Sequence, residues 1–149
     1  MLHLGADHRG YNLKEKIKNW LEGQGIDFED VVADKIIPED DYSDYAKLVA
    51  GAVAKNTKEA TGILICGSGV GMCVVANKFK GVRCGLVFSK EMTQAAKADD
   101  DINILALASN FTKEGDALDI VDAWLKTNFK NEEKYIRRIN KISDIEKGL

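Results

Sequence analysis

The sequence predicts an α/β protein built from β-α-β units around a parallel sheet, and three observations lead there. Short apolar runs alternate with segments of helical period along the whole chain, the mark of strands that each hand over to a crossover helix. A glycine-rich turn follows one of the apolar runs, where open sheets of this class bind their ligands. No repeat, low-complexity tract or linker divides the 149 residues, so residues 1–149 read as one domain, of a length that buries about two thirds of the surface its unfolded chain exposes.

The elements follow in order. Residues 1–6 read as the first strand. Leu13, Ile17, Trp20 and Leu21 then fall at i, i+4, i+7 and i+8 among lysines and glutamates, the buried stripe of an amphipathic helix, which Gly23 and Gly25 stop. Residues 27–32 form the second strand. An acidic stretch over 34–44, holding the only proline, Pro38, reads as an exposed loop. A helix over 43–55 leads to a strand over 61–66, a glycine turn over 67–71 and a helix from 72 to 79. Two more strands, 82–87 and 104–108, alternate with helices over 90–98 and 113–126, the latter with Leu118, Val121, Trp124 and Leu125 as its core face. Tyr135, Ile139 and Ile142 keep helical spacing through 132–147; this last helix packs either at home or on a second copy of the chain.

Composition excludes several classes of function. With 21 Lys+Arg against 24 Asp+Glu and a net charge of -3, the chain has no basic cluster for nucleic acid. Its apolar runs fall far short of the ~20 residues that cross a bilayer, so no membrane association is expected. Cys66, Cys73 and Cys84 are an odd count without metal-type spacing, which suits a reducing cytoplasm and predicts neither disulfide nor metal.

The segment 62–72, GILICGSGVGM, carries the strongest chemical signal. A buried strand delivers Cys66 to its carboxyl end, and Gly67, Gly69 and Gly71 permit close backbone approach, so successive N–H groups can meet an anion. Met72 stands where a Walker loop needs lysine and a hydroxyl, and the Gly-x-Gly-x-Gly spacing misses the dinucleotide fingerprint. Beside N–H dipoles Cys66 would be a proton acceptor; the alternative is a small residue filling the end of a strand. Asp7 and His8 follow the first strand at the same sheet edge and can share a pocket with Cys66, as ligands for hydroxyls and an anion, unless Asp7 merely caps the next helix. His3 lies on the apolar pattern of its strand. The run Asp99, Asp100, Asp101 is either a solvated loop or, facing the pocket, an acid/base and acceptor set that would repel a phosphate. Lys134, Arg137 and Arg138 offer compensating charge.

Together these pieces resemble the ribose-5-phosphate isomerase B family, which includes the galactose-6-phosphate isomerase subunits. The marks are Gly-x-Asp-His-x-Gly at 5–10 with Leu13-Lys14, Asp-Tyr-x-Asp-Tyr-Ala at 41–46, Ile-Cys-Gly-Ser-Gly-x-Gly at 65–71, Ala-Asn-Lys at 76–78, Gly-Val-Arg at 81–83 and Asn-Ile-Leu-Ala at 103–106, with Ile-Val-Asp-Ala-Trp-Leu at 120–125. The resemblance implies a Rossmann-like three-layer α/β/α sandwich, a homodimer or homotetramer with active sites shared between chains, and metal-free, cofactor-free aldose-ketose isomerisation of a phosphorylated sugar through an enediol(ate). By resemblance Cys66 is the base, and N–H groups of Gly67, Ser68, Gly69, Val70 and Gly71 hold the oxyanion. Asp7, Tyr42 and Ser68 meet hydroxyls, and His8, Lys134 and Arg138 meet phosphate.

Departures from the family pattern fall on substrate-contacting positions. Asp99 and Asp100 stand where the family carries the histidine credited with opening the furanose ring and an asparagine. Lys134 and Tyr135 replace an Arg-His pair, and Asn110 replaces an arginine. Ribose 5-phosphate is the default substrate. A tetrose 4-phosphate, which closes no furanose, and a hexose 6-phosphate are the alternatives, along with a partner subunit that binds sugar phosphate without turning it over.

Overall fold

The structure, a computed structural model, describes residues 1–31 and 35–148; Val32 of the predicted second strand and Asp34 of the acidic loop lie outside them. Five strands, β1 (Leu2–Ala6), β2 (Phe28–Asp30), β3 (Thr61–Cys66), β4 (Cys84–Leu86) and β5 (Ile104–Ala108), form one sheet in the order β2-β1-β3-β5-β4. Every pairing is parallel. Among the described residues six helices accompany them: α1 (Tyr11–Gly23), α2 (Tyr42–Lys55), α3 (Val70–Ala76), α4 (Lys90–Asp100), α5 (Glu114–Lys126) and α6 (Glu133–Glu146).

The apolar strands dictate the layers. β3 and β5 are buried along nearly their whole length, so both sheet faces need cover. Leu4, Ile63, Ile65, Leu105 and Leu107 point to one face and pack with Leu13, Ile17 and Leu21 of α1 and Ile120, Val121 and Trp124 of α5. Leu64, Cys66, Ile104 and Ala106 point to the other, against Val49 and Val53 of α2 and Met72 and Ala76 of α3. The result is the three-layer sandwich. From β1 the chain moves outward to β2, whereas from β3 it moves the opposite way, so the crevice between the carboxyl ends of β1 and β3 is the topological switch point at which such sheets bind ligands.

Four readings of the sequence change. The α5 core face is Ala117, Ile120, Val121 and Trp124, while Leu125 is exposed, because the stripe starts one residue earlier than expected. The run at Asp99 and Asp100 is the last turn of α4 and not a loop, and Asp101 caps it with φ 46°. The acidic loop is exposed only in part: Asp40 is half-buried and bonded inward. α6 packs beside α4 and buries only Tyr135, leaving Ile136, Ile142 and Ile145 exposed. Among the described residues, no helix is long and apolar enough to cross a membrane.

Lys14, inside the α1 stripe, is fully buried. Its Nζ donates to both carboxylate oxygens of Asp30 on β2, at 2.8 and 2.6 Å, which tethers α1 to the sheet edge.

Candidate active site

Three segments meet at the switch point and enclose a cavity of about 290 Å³ lined by Asp7, His8, Asp40, Tyr42, Cys66 and the glycine turn. Parallel register aligns Ala6 with Ile65, so the residues just beyond β1 and β3 emerge side by side. Cys66 is 4% exposed, and its sulfur accepts a hydrogen bond from Gly69 N–H at 3.1 Å. Gly69 makes it from a left-handed conformation, φ 72°, and a Cβ there would stand 2.4 Å from Leu86 Cδ1. At Gly71 a Cβ would strike the Tyr42 ring at 2.6 Å, so the missing side chain is what lets Tyr42, the first residue of α2, lie against the turn. Gly67 and Ser68 complete that wall. Gly69 and Val70 lie off it, and Val70 donates its N–H to Ser68 Oγ at 3.3 Å.

Asp7 is buried, and its Oδ1 accepts the N–H groups of Arg9 and Gly10 at 3.0 and 2.9 Å. It therefore shapes the turn that starts α1 as well as lining the cavity. His8 is held by Asp40, whose Oδ1 accepts both the His8 backbone N–H at 2.9 Å and Nδ1 at 2.6 Å. Nδ1 thus carries the proton, and Nε2 is left to face a ligand. Tyr45 of α2 donates to the second Asp40 oxygen at 2.7 Å. Burial pushes the Asp40 carboxyl upward, but the hydrogen bonds from His8 N–H, the Tyr45 hydroxyl and the His8 ring outweigh it and hold the group below the usual carboxylate range. Asp40 escaped sequence reasoning because its partner lies 32 residues away; the one signal was an acid shortly before Tyr42.

Asp7, His8 and Asp40 are the one group of acids, cysteines and histidines among the described residues with ligand atoms close enough, within 4.8 Å, to hold a cation. Within that group His8 Nδ1 and Asp40 Oδ1 already form a hydrogen bond of 2.6 Å. Cys73 and Cys84 lie off the cavity, with Cys73 Sγ 3.4 Å from the Cys84 carbonyl oxygen.

The other candidate residues form a second cluster elsewhere. Asp99 and Asp100 end α4 just before β5 begins, at the amino-terminal edge of the sheet. The length of β5, about 16 Å for five residues, separates them from the Cys66 edge. Lys130 donates to Asp99 at 2.7 Å, and this bond holds the Asp99 carboxyl below its ordinary range. Lys130, Lys134 and Arg138 all lie over the Tyr135 ring, at 4.9, 4.7 and 5.6 Å from its centre. Within one chain, then, Asp7, His8, Tyr42, Cys66, Gly67, Ser68 and Gly71 converge, while Asp99, Asp100, Lys134 and Arg138 do not join them.

The chain is similar along its length to known proteins. The family model described as Ribose/Galactose Isomerase matches residues 2–142. A Mycoplasma genitalium protein named "Probable ribose-5-phosphate isomerase B" is 40% identical over 98% of this chain and 95% of its own. The D-erythrulose-4-phosphate isomerase of Pectobacterium atrosepticum is 33% identical over 85% and 83%. The crystal structure of ribose-5-phosphate isomerase B from Mycoplasma genitalium with bound ribulose-5-phosphate superposes with a TM-score of 0.95 at 40% identity, covering 99% of this chain and 97% of that one. With its sheet order, its cysteine at the switch point and this match over nearly every residue, the chain belongs to the ribose/galactose isomerase family.

Proposed function

We propose that this protein interconverts the aldose and ketose forms of a phosphorylated sugar, with D-ribose 5-phosphate and D-ribulose 5-phosphate as its pair, without a metal. The observation that carries the reading is a buried cysteine whose sulfur accepts a backbone N–H at 3.1 Å inside a cavity lined by hydroxyl-binding groups. The Cys66 thiolate takes the proton from C2 of the open-chain aldose as the carbonyl oxygen O1 takes up the charge of the enediolate; a proton passes from the C2 hydroxyl to O1, and the Cys66 thiol, after its proton exchanges with solvent, protonates C1 and returns to the thiolate as C2=O forms. Gly69 N–H is engaged by Cys66 and Val70 N–H by Ser68. The donors left for the oxyanion are the N–H groups of Gly67, Ser68 and Gly71 among the described residues. Preorganised donors of this kind lower a barrier by about 3 kcal/mol each. Asp7, Tyr42 and Ser68 receive sugar hydroxyls, and His8, fixed through Asp40, offers Nε2 to the substrate.

The cavity is incomplete within one chain. A second copy, docked through the apolar ridge of α6, brings Lys134, Arg138 and the end of α4 to the mouth of the first copy's cavity, and the assembly is a homodimer or a dimer of dimers. Asp99 and Asp100 then serve as acceptors for hydroxyls. An Asp99 kept ionised by Lys130 is a poor acid for ring opening. This favours, as a second reading, an acyclic tetrose 4-phosphate, which needs no ring opening.

Turnover on ribose, galactose, allose and erythrose phosphates in the presence of EDTA tests both readings. Conversion of ribose 5-phosphate is expected, and Cys66→Ala should lower kcat at least about 10³-fold with the fold retained. Preference for the tetrose phosphate would establish the second reading. No conversion of any of the four would overturn both.

A further inference from the structure

A dianionic phosphate entering the Cys66 cavity meets two carboxylates, Asp7 and Asp40, so this chain must set cations against them. Several cations are already committed: Lys14 and Lys18 to Asp30, Arg83 and Lys97 to Asp101, Lys130 to Asp99. Arg9 is different. It is exposed, lines the Cys66 cavity, and has no carboxylate partner among the described residues. The same side chain also walls a second cavity of about 320 Å³, together with Lys16, Ser109, Asn110 and Thr112. Lys16 stands 3.9 Å from Glu114 there.

The geometry fixes where Arg9 reaches. A Cβ placed on Gly67 would lie 2.7 Å from Arg9 Cδ, 3.3 Å from Arg9 Nη1 and 2.9 Å from Asn110 Nδ2. The guanidinium and the Asn110 amide therefore converge over the backbone immediately after Cys66, in the space that the glycine leaves open. The Arg9 main chain is anchored at both ends: its N–H donates to Asp7 Oδ1 at 3.0 Å, and its carbonyl accepts Ser109 Oγ at 3.0 Å. Two donor groups thus share one wall between the reacting cysteine and the second cavity. Where the resemblance leads one to expect an arginine at position 110, the guanidinium comes instead from position 9, across the crevice.

We propose that Arg9 is the residue with which this chain grips the phosphate of its substrate, its planar fork binding two phosphate oxygens while the Asn110 amide donates beside it. The assignment rests on the sugar-phosphate reading of the same cavity. It makes Arg9 a determinant of binding and not of proton transfer, so its loss falls on KM.

Kinetics of the wild type, Arg9→Gln and Arg9→Lys on D-ribose 5-phosphate, with inorganic phosphate as competitive inhibitor, test the assignment. Arg9→Gln is expected to raise KM and the phosphate inhibition constant together, by about 10- to 100-fold, with kcat changed less than about 3-fold and the melting temperature unmoved. Arg9→Lys, which keeps the charge and loses the fork, falls between. Lys113→Gln, outside both cavities, removes the same charge and leaves KM unchanged. A KM and phosphate inhibition constant in Arg9→Gln within about 2-fold of the wild type, or a loss confined to kcat, would overturn the assignment while the function stands. If the wild type turns nothing over, the function fails on its own, and calorimetric binding of ribose 5-phosphate to the wild type and Arg9→Gln decides Arg9: equal affinities overturn it, weakened binding supports it.

Discussion

At the scale of residues, the groups of the proposed site each have a fixed partner. Cys66 has the Gly69 N–H, and His8 has Asp40, which in turn has Tyr45. Asp40→Asn exchanges a carboxylate acceptor for an amide and frees the imidazole to rotate; kcat/KM is expected to fall about 10- to 100-fold, the range for loss of a group that orients another. Tyr45→Phe removes only the outer bond and should cost less. Steady-state kinetics on the three proteins checks the order, and equal effects would remove Asp40 as the orienting group. The sequence made Cys66, Asp7 and His8 legible because they stand at the carboxyl ends of apolar strands, Cys66 closing β3 and Asp7 and His8 coming just after β1. It hid Asp40 and Arg9, because what gives them meaning is a neighbour on another strand end or loop.

Elements carry two further consequences. In the glycine turn, Gly69→Ala forces an L side chain into a left-handed conformation and against Leu86. A stability loss of at least about 1–2 kcal/mol is expected, with a larger loss in kcat, since the N–H that serves Cys66 moves with the turn; thermal melts and kinetics measure both. On the other face of the sheet, Asp30 holds α1 through Lys14. Burial pushes the Asp30 carboxyl upward, but the hydrogen bonds from Lys14 and Lys18 win and hold it below its ordinary 3.8. A carboxylate depressed on folding adds stability that is full above the unfolded value and is lost as pH falls through the folded one. The melting temperature should therefore hold from neutral pH to about 4 and drop below it, and Asp30→Asn should be less stable at pH 7 with a weaker acid dependence. An unchanged acid limb would mean that other carboxylates govern it. The α1 stripe of Leu13, Ile17, Trp20 and Leu21 does not single out Lys14, because its partner strand follows 16 residues later. The acids at the end of α4 read as loop for a related reason: carboxylates oppose the helix dipole at a C-terminus, and here Lys130, and Lys97 and Arg83 at the cap, offset that cost.

At the scale of the whole molecule, β3 and β5 were readable to the residue since both are unbroken apolar runs buried on two faces. β2 and β4, three residues each at the sheet edges, carry too little pattern to bound. What one chain cannot display is the meeting of its two candidate clusters at opposite sheet edges. If a second copy unites them, homodimers of Cys66→Ala and of Arg138→Ala are each nearly inactive, and mixing them under exchange restores about a quarter of wild-type activity, since half of the dimers are mixed and each holds one intact site. No recovery on verified exchange would confine the site to one chain.

Proton transfer by Cys66 is tested most directly by running the isomerisation of ribose 5-phosphate in D2O with EDTA and reading deuterium at C1 of the ribulose 5-phosphate formed. The wild type should form ketose that carries solvent deuterium at C1, and Cys66→Ala should form neither product nor label above background. Product formed by Cys66→Ala at the wild-type rate, labelled or not, would contradict an enediolate formed by this cysteine.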